Sequence, residues 1–108
     1  MEWINADRNT EAIARRFFAS KEYEEISRSD DRLSSFFSVW TKKEAYAKLC
    51  GKGLASVCSD EISSEVFYSQ YRVELKGRKG ILTICHRIYD EITVINQNEN
   101  LNIYKLKQ

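Results

Sequence analysis

Apolar and polar residues follow a helical period through the first half of the chain and a strand period through the second. Up to about residue 54, apolar positions recur every three or four residues, which is typical of amphipathic helices. The pattern predicts three helices: Thr10 to Phe18, capped by Thr10; Lys21 to Ser27, capped by Ser20; and a long helix from Asp30 or Asp31 to about Cys50. Gly51 follows the long helix and suits the left-handed conformation that ends many helices.

The second half of the chain predicts β-strands, around Val66–Leu75, Ile81–Arg87, Glu91–Asn96 and Leu101–Lys105. The segment from Gly77 to Gly80 is a candidate hairpin turn. In the first of these strands apolar and charged residues alternate, so one of its faces is expected to meet water. We therefore predict an α+β fold in which the long helix covers one face of an antiparallel sheet.

The long helix carries charged residues on the side that should be buried. At about 100° per residue, Glu44 lies in the middle of the apolar stripe, Lys48 on one edge and Lys43 on the other. Polar residues occupy the opposite side: Ser34, Ser35, Ser38, Thr41 and Lys42. A buried carboxylate needs a partner, which could be a lysine, a metal ion or a polar cleft. The simplest alternative is an ordinary surface ion pair with Lys48, which stabilises a helix only slightly.

The residues around Glu44 also match a longer pattern, Trp-Thr-x-Lys-Glu-Ala-x-x-Lys-x-x-Gly-x-Gly-Leu, without a gap from Trp40 to Leu54. A second match lies upstream, in Ala14 to Phe18 followed by Glu22. Together they resemble the signature of the 4'-phosphopantetheinyl transferase superfamily, and in particular the C-terminal half of the surfactin-synthetase-type enzymes, which are related to holo-acyl-carrier-protein synthase. The resemblance covers residues 1 to about 55. It implies magnesium-dependent transfer of phosphopantetheine from coenzyme A to a serine of a carrier protein, in fatty acid, polyketide or nonribosomal peptide biosynthesis.

The resemblance also implies roles for individual residues. Glu44 is expected to bind Mg²⁺ and to act as the general base, and Lys48 and Lys43 are expected to bind the phosphates of coenzyme A. A basic and aromatic patch on the first helix is expected to contact the acyl or peptidyl carrier protein; it consists of Arg15, Arg16, Phe17 and Phe18. The alternative for this patch is that Phe17 belongs to the core and the arginines are only solvated.

The second magnesium ligand implied by the resemblance is Glu2. The family carries a Gly-x-Asp-x-Glu segment whose two acids bind the metal, and Met1-Glu2-Trp3 matches only the end of it. The match does not include the upstream strand that the family has, and we therefore expect Glu2 to be loosely held. Three explanations stay open: a natural single-half protein that assembles as a dimer or trimer, a truncated form, or a catalytically incomplete homologue that acts as an interaction or assembly domain.

Composition narrows the class of protein. A chain of 108 residues predicts one domain over 1–108, and a net charge of +1 argues against a nucleic-acid or membrane partner. The sequence shows neither a signal peptide nor an apolar run long enough to span a membrane. Its three cysteines form no Cys-x-x-Cys pair, which favours free thiols in a reducing cytoplasm. His86, the one histidine, is expected to have a structural role.

Overall fold

The computed structural model describes residues 1–5, 8–63, 65–87 and 94–106. Its elements, in chain order, are β1 (Glu2–Trp3), α1 (Thr10–Phe17), α2 (Ser20–Arg28), α3 (Arg32–Cys50), α4 (Leu54–Val57), β2 (Phe67–Leu75), β3 (Arg78–His86) and β4 (Leu101–Lys105). The four strands form one sheet in the order β1-β3-β2-β4, and each neighbouring pair is antiparallel. Since α3 packs against β3, the predicted α+β fold with a long helix on an antiparallel sheet is confirmed.

The helix boundaries follow from side chains that satisfy the free backbone groups at each end. Asp31 caps α3 by accepting the Ser34 N–H at 3.1 Å, and Gly51 ends it with a φ of 67°, both as predicted. The predicted caps of the two shorter helices are each one residue late. Asn9 caps α1, and its side chain accepts the Ala12 N–H; Ala19 is the N-cap of α2, where a carboxylate of the first turn accepts its N–H.

The hairpin between β2 and β3 turns at Lys76 and Gly77 rather than over the predicted segment from Gly77 to Gly80. Both residues have positive φ, 49° and 79°, which is the backbone geometry of the tightest hairpin turns. Lysine seldom adopts this conformation, so the residue at position 76 does not indicate that the turn begins there. As a result β3 starts at Arg78, three residues before its predicted start, and Gly80 lies within the strand.

Glu2 is held in the sheet, which corrects the expectation that it is loose. The short strand β1 pairs with β3, with Glu2 opposite Ile81 and Trp3 opposite Gly80, and the Ile4 N–H continues the pairing to the Lys79 carbonyl at 2.8 Å. A Cβ at Gly80 would lie 2.9 Å from the Glu2 carbonyl oxygen and 3.0 Å from the Trp3 ring. The missing side chain at position 80 is therefore what lets β1 lie this close to β3.

The core lies between the helices and the sheet. Phe18 stacks on Phe36 with ring centroids 5.4 Å apart, and Phe36 meets Phe37 edge to face; Ile26 and Ile81 belong to the same buried cluster. Aromatic pairs of this kind add to the stability that burial provides. The cluster fixes α1, α2 and α3 against one another, so that the end of α3 that carries Glu44 is supported by a rigid base.

The polar side of α3 is only partly exposed to water, because it faces the sheet. Ser38 and Thr41 point to the sheet, where Ser38 donates to the Gln70 side chain at 3.0 Å and the Thr41 hydroxyl lies 2.7 Å from that of Thr83. Gln70 and Thr83 are polar sheet residues, so the Ser38 and Thr41 hydroxyls each find a partner on the sheet. Helical periodicity correctly separated the two sides of α3, but Thr41 on the polar side is buried against the sheet.

The predicted strands agree with the structure at β2 and β4. The third predicted strand, Glu91–Asn96, lies partly outside the described residues, since 91–93 are not described and 94–96 do not form a strand. In the described part of the chain, no helix combines the length and apolarity needed to cross a membrane.

Candidate functional site

Glu2 and Glu44 come together at the edge of the sheet. The register of β1 places Glu2 beside Ile81, and α3 crosses β3 at Thr83, two residues farther along the strand. Burial raises the pKa of the Glu44 carboxyl above its ordinary value, and repulsion by the Glu2 carboxylate raises this pKa further. The amino terminus of the chain and Lys48 act in the opposite direction. The site therefore combines two carboxylates with two cationic groups on the rim.

One oxygen of Glu44 has no hydrogen-bonding partner. Its Oε1 is buried and accepts no hydrogen bond, and the surface ion pair with Lys48, the simplest alternative from the sequence, does not form. Leaving a buried acceptor unpaired costs free energy, whereas a cation beside it would compensate that cost. The burial and the missing partner indicate a carboxylate that is prepared to meet a positive charge from outside the chain.

The donor set fits magnesium better than a metal that needs a complete protein cage. Within residues 1–5, 8–63, 65–87 and 94–106, no group of three or more histidine, cysteine or acidic side chains could hold a metal ion. Magnesium is commonly held by one or two carboxylates, with water and substrate phosphates completing its coordination. Glu2 and Glu44 are the carboxylates that would hold it here.

The two predicted lysines lie in different surroundings. Lys48 is exposed, one turn after Glu44 on the same helix, where it can reach an anion at the site. Lys43 is 3% exposed, and its ammonium lies 2.8 Å from a carboxylate oxygen of Glu22 and donates to the Asp60 carbonyl. The structure therefore brings Lys48, and not Lys43, to the Glu2–Glu44 pair. That Lys43 contacts coenzyme A stays a prediction, and its ammonium would have to leave a buried ion pair to do so.

Sequence reasoning missed what Glu22 does. Its carboxylate accepts the Ile62 N–H at 3.0 Å and the Ala19 N–H at 3.2 Å in addition to binding Lys43. The available signal was its position one turn before Ile26, on the buried face of an amphipathic helix. An acid in that position has to find a buried cation, and Lys43 provides it.

Three of the four residues in the predicted carrier-protein patch are exposed. Arg15 pairs with Glu11 at 2.9 Å, and the Arg16 guanidinium lies over the ring of Phe17, which is 45% exposed. Phe17 is therefore outside the core, contrary to the alternative interpretation of this patch. Phe18 is 6% exposed and stacks in the core, so it presents almost no surface to a partner and we leave it out of the proposed contact surface.

An apolar groove of about 500 Å³ adjoins Phe17. It lies between α1, α3 and α4, and its lining includes Ile13, Trp40 and Leu54, with Arg8 and Arg16 among the charged residues at its rim. The Arg8 guanidinium lies 4.8 Å from the centre of a Trp40 ring. Among the described residues that line the groove there is no acidic side chain, so the groove and the exposed part of the patch form one basic and apolar surface.

His86 has the structural contacts expected of it. Its Nε2 lies 2.9 Å from the Ser69 hydroxyl, and its ring stacks on Phe67. The three cysteines, Cys50, Cys58 and Cys85, are all unpaired. Burial raises the thiol pKa of both Cys58 and Cys85, which disfavours the reactive thiolate.

Comparison with known proteins connects this geometry to a family. A sequence model of a protein family, described as the 4'-phosphopantetheinyl transferase superfamily, matches residues 1–93. Over 65 residues the chain is 37% identical to 4'-phosphopantetheinyl transferase HetI of Nostoc sp. (strain PCC 7120), a match covering 58% of this chain and 27% of that protein. Over 46 residues it is 46% identical to 4'-phosphopantetheinyl transferase psf-1 of Bacillus pumilus, covering 41% of this chain and 20% of that protein.

These relatives are considerably longer than the matched region. The chain aligns with about a quarter of the length of each. No solved structure matches the chain.

Proposed function

The chain belongs to the 4'-phosphopantetheinyl transferase superfamily, and on that premise we propose that it supplies the metal-binding and phosphate-binding groups of a transferase. The reaction moves 4'-phosphopantetheine from coenzyme A to a serine of an acyl or peptidyl carrier protein. The observation that carries this proposal is the buried, unpartnered Oε1 of Glu44 beside Glu2, with Lys48 one turn away. This is the arrangement expected of groups that receive a metal ion and a pyrophosphate.

Glu2 and Glu44 would hold Mg²⁺ between them. When bound, the ion would neutralise charge on the pyrophosphate that the serine hydroxyl attacks. The two carboxylates supply hard oxygen donors, and the ordered strand β1 keeps one of them in place beside the other. Cation binding would also remove the repulsion that raises the pKa of Glu44.

Glu44 is also the candidate general base. A carboxylate whose pKa is raised toward the working pH accepts a proton more readily than an ordinary exposed one. Burial, which does not depend on the charge of Glu2, raises the pKa of Glu44 in this way. We propose that Glu44 receives the proton of the carrier-protein serine, directly or through a water molecule.

Lys48 is the proposed phosphate ligand of this chain. Its exposed ammonium suits a phosphate as a mobile point charge, and its place on α3 directs it to the same edge as Glu44. Lys43 would contribute indirectly, by holding α3 to α2 through its ion pair with Glu22. The direct contact of Lys43 with coenzyme A is the less favoured part of the proposal.

The carrier protein would dock on the exposed face of α1. Arg15 and Arg16 supply positive charge, and Phe17 supplies an apolar anchor. This combination suits an acidic, amphipathic helix of the partner, because aromatic and arginine side chains dominate many protein interfaces. The neighbouring groove would extend this surface toward Trp40 and Leu54.

We also propose that the protein self-associates, as a dimer or a trimer, in the cytoplasm. Large apolar side chains lie exposed, among them Leu49 at 38%, Tyr104 at 43% and Ile95 at 75%. The unpaired cysteines fit a reducing compartment. Light scattering at roughly tens of micromolar protein tests the assembly, and a strict monomer at that concentration would contradict it.

The second candidate function is that of a catalytically incomplete homologue, which keeps the fold as an interaction or assembly domain. It is favoured by the fact that the described residues bring only two carboxylates to the candidate site. A mass-shift assay with an apo carrier protein, coenzyme A and Mg²⁺ separates the two functions. Transfer by the wild type, lost in Glu44→Gln and kept in the exposed control Glu24→Gln, supports the transferase. Carrier-protein binding without transfer supports the interaction domain.

A further inference from the structure

A chain of buried hydrogen bonds connects α3 to the middle of the sheet. The Gln70 side-chain amide donates to the Thr83 hydroxyl at 3.0 Å, the Thr83 and Thr41 hydroxyls lie 2.7 Å apart, and the Thr41 hydroxyl reaches the Phe37 carbonyl at 2.7 Å. Gln70, Thr41 and Thr83 are all less than a tenth exposed. Buried polar groups that are all satisfied restrict a core to one arrangement more strictly than apolar packing does.

The donors and acceptors in this chain permit one direction. The Thr41 hydroxyl donates its single proton to the Phe37 carbonyl, so in its contact with Thr83 it accepts and Thr83 donates. The Gln70 amide nitrogen can only donate, so Thr83 accepts from it. The other end of Gln70 is fixed as well, because its nitrogen donates to the Ser38 carbonyl and its oxygen accepts from the Ser38 hydroxyl. A reversed amide would place two carbonyl oxygens against each other at Ser38.

The same chain of hydrogen bonds joins the helix that carries Glu44 to the strand that pairs with the strand of Glu2. Thr83 is two residues beyond Ile81, the partner of Glu2, and residues two apart point to the same face of a sheet. Thr41 is three residues before Glu44, a spacing that makes them neighbours on the helix surface. The bond between Thr41 and Thr83 thus joins α3 beside Glu44 to β3 beside Glu2. A rotation of α3 by one residue would swing Glu44 by about 100° away from Glu2.

We infer that Thr83 and Gln70 are positioning residues, which set the rotation of α3 so that Glu44 faces Glu2. Neither side chain has been placed at the reacting atoms: Thr83 acts through Thr41, and Gln70 acts through Thr83 and through its two hydrogen bonds with Ser38. The relevance to catalysis rests on the function proposed above, but the effect on geometry does not. Without the Thr83 hydroxyl, Gln70 and Thr41 each lose one buried partner, and α3 loses its side-chain hydrogen bond to β3, while the two bonds between Gln70 and Ser38 remain.

The test compares Thr83→Val, which removes the hydroxyl at nearly constant shape, with Thr83→Ser, which keeps it. Nuclear Overhauser contacts between the Glu44 region of α3 and β1 report the geometry without any ligand. Magnesium-dependent coenzyme A binding by calorimetry, and kcat and KM for transfer, report the consequence. Ile26→Val, in the α2–α3 part of the core, serves as a control that lowers the melting temperature without touching the hydroxyl chain.

We expect Thr83→Val to lose the contacts between α3 and β1 and to weaken magnesium-dependent binding by about tenfold, the scale seen when groups that orient metal ligands are removed. Its kcat should fall while KM for the carrier protein stays constant. Thr83→Ser should behave as the wild type, and Ile26→Val should keep the contacts. Unchanged contacts in Thr83→Val would overturn the inference. A different result is also informative: Thr83→Val loses the contacts, but the wild type neither binds coenzyme A nor transfers phosphopantetheine. That result would support the positioning role and refute the proposed function.

Discussion

The ammonium of Lys43 lies 2.8 Å from a carboxylate oxygen of Glu22, and the two side chains are 2% and 7% exposed. The hydrogen bonds around this pair reach Ala19 at the start of α2 and the segment from Asp60 to Ile62. A buried ion pair is tolerated only when its remaining donors and acceptors are satisfied, as they are here. Two successive residues of α3 therefore have different functions, because Lys43 fastens the helix to its neighbours while Glu44 faces the candidate site.

Lys43→Met should destabilise the protein by about 3–5 kcal/mol, because it leaves the buried Glu22 carboxylate without its cation. The loss should shrink in Lys43→Met combined with Glu22→Gln, since the uncompensated charge is then gone. Urea unfolding measures both changes, and Lys52→Met, at an exposed lysine, is the control. If Lys43→Met unfolds like that control and only weakens coenzyme A binding, Lys43 is a ligand, as the sequence predicts.

The raised pKa of Glu44 predicts a pH-dependent stability that Glu44→Gln should remove. A carboxyl whose pKa is higher in the folded state than in the unfolded state contributes stability at low pH. That contribution is lost as the pH rises through the folded-state pKa. Relative to Glu44→Gln, the wild type should therefore become less stable between the ordinary pKa of glutamate and neutral pH. Thermal unfolding across this range tests the difference, and parallel pH profiles of the two proteins would contradict the assignment.

Local signals predicted the parts of the fold that depend on neighbouring residues. Asp31 and Gly51 could be predicted as the ends of α3, because N-cap residues and left-handed residues at helix ends have strong residue preferences. The start of the turn at Lys76 could not be predicted, since this lysine has a positive φ because of the pairing between β2 and β3. The polar side of α3 was likewise recognised, but the residues that it contacts were not, because Gln70 and Thr83 lie far along the chain.

The same contrast between local signals and contacts of distant residues applies to the candidate site. A carboxylate on the buried side of a helix marked Glu44 as a residue in need of a cation. The ordered position of Glu2 could not be anticipated, because it depends on pairing with Ile81, which is far away along the chain. The separation of Lys43 from Glu44 required knowledge of Glu22, whose own helix packs beside α3.

Gly80→Ala should disturb the site through the backbone. The new Cβ would lie 2.9 Å from the Glu2 carbonyl oxygen, so β1 must shift and carry the Glu2 side chain away from Glu44. We expect magnesium-dependent binding of coenzyme A to weaken by about tenfold or more. Gly53→Ala is the matched control, because a Cβ at Gly53 meets no atom within 4 Å and its φ of −69° suits alanine. Calorimetry on the two variants measures the effect, and equal affinities would show that Glu2 does not bind the metal.

Phe17→Ala should raise KM for the carrier protein by roughly tenfold and leave the affinity for coenzyme A unchanged, because an exposed aromatic anchor contributes to docking and not to the metal site. Phe17 lies on α1 under the Arg16 guanidinium, whereas Glu2 lies on β1 and Glu44 on α3. The control is Phe67→Ala at the start of β2, since both phenylalanines are 45% exposed and therefore lose similar surface. Steady-state kinetics with each substrate varied in turn separate the two affinities. If the two variants show the same KM for the carrier protein, α1 is not its docking surface, even though the arginine and aromatic side chains have the chemistry that an acidic helix would require.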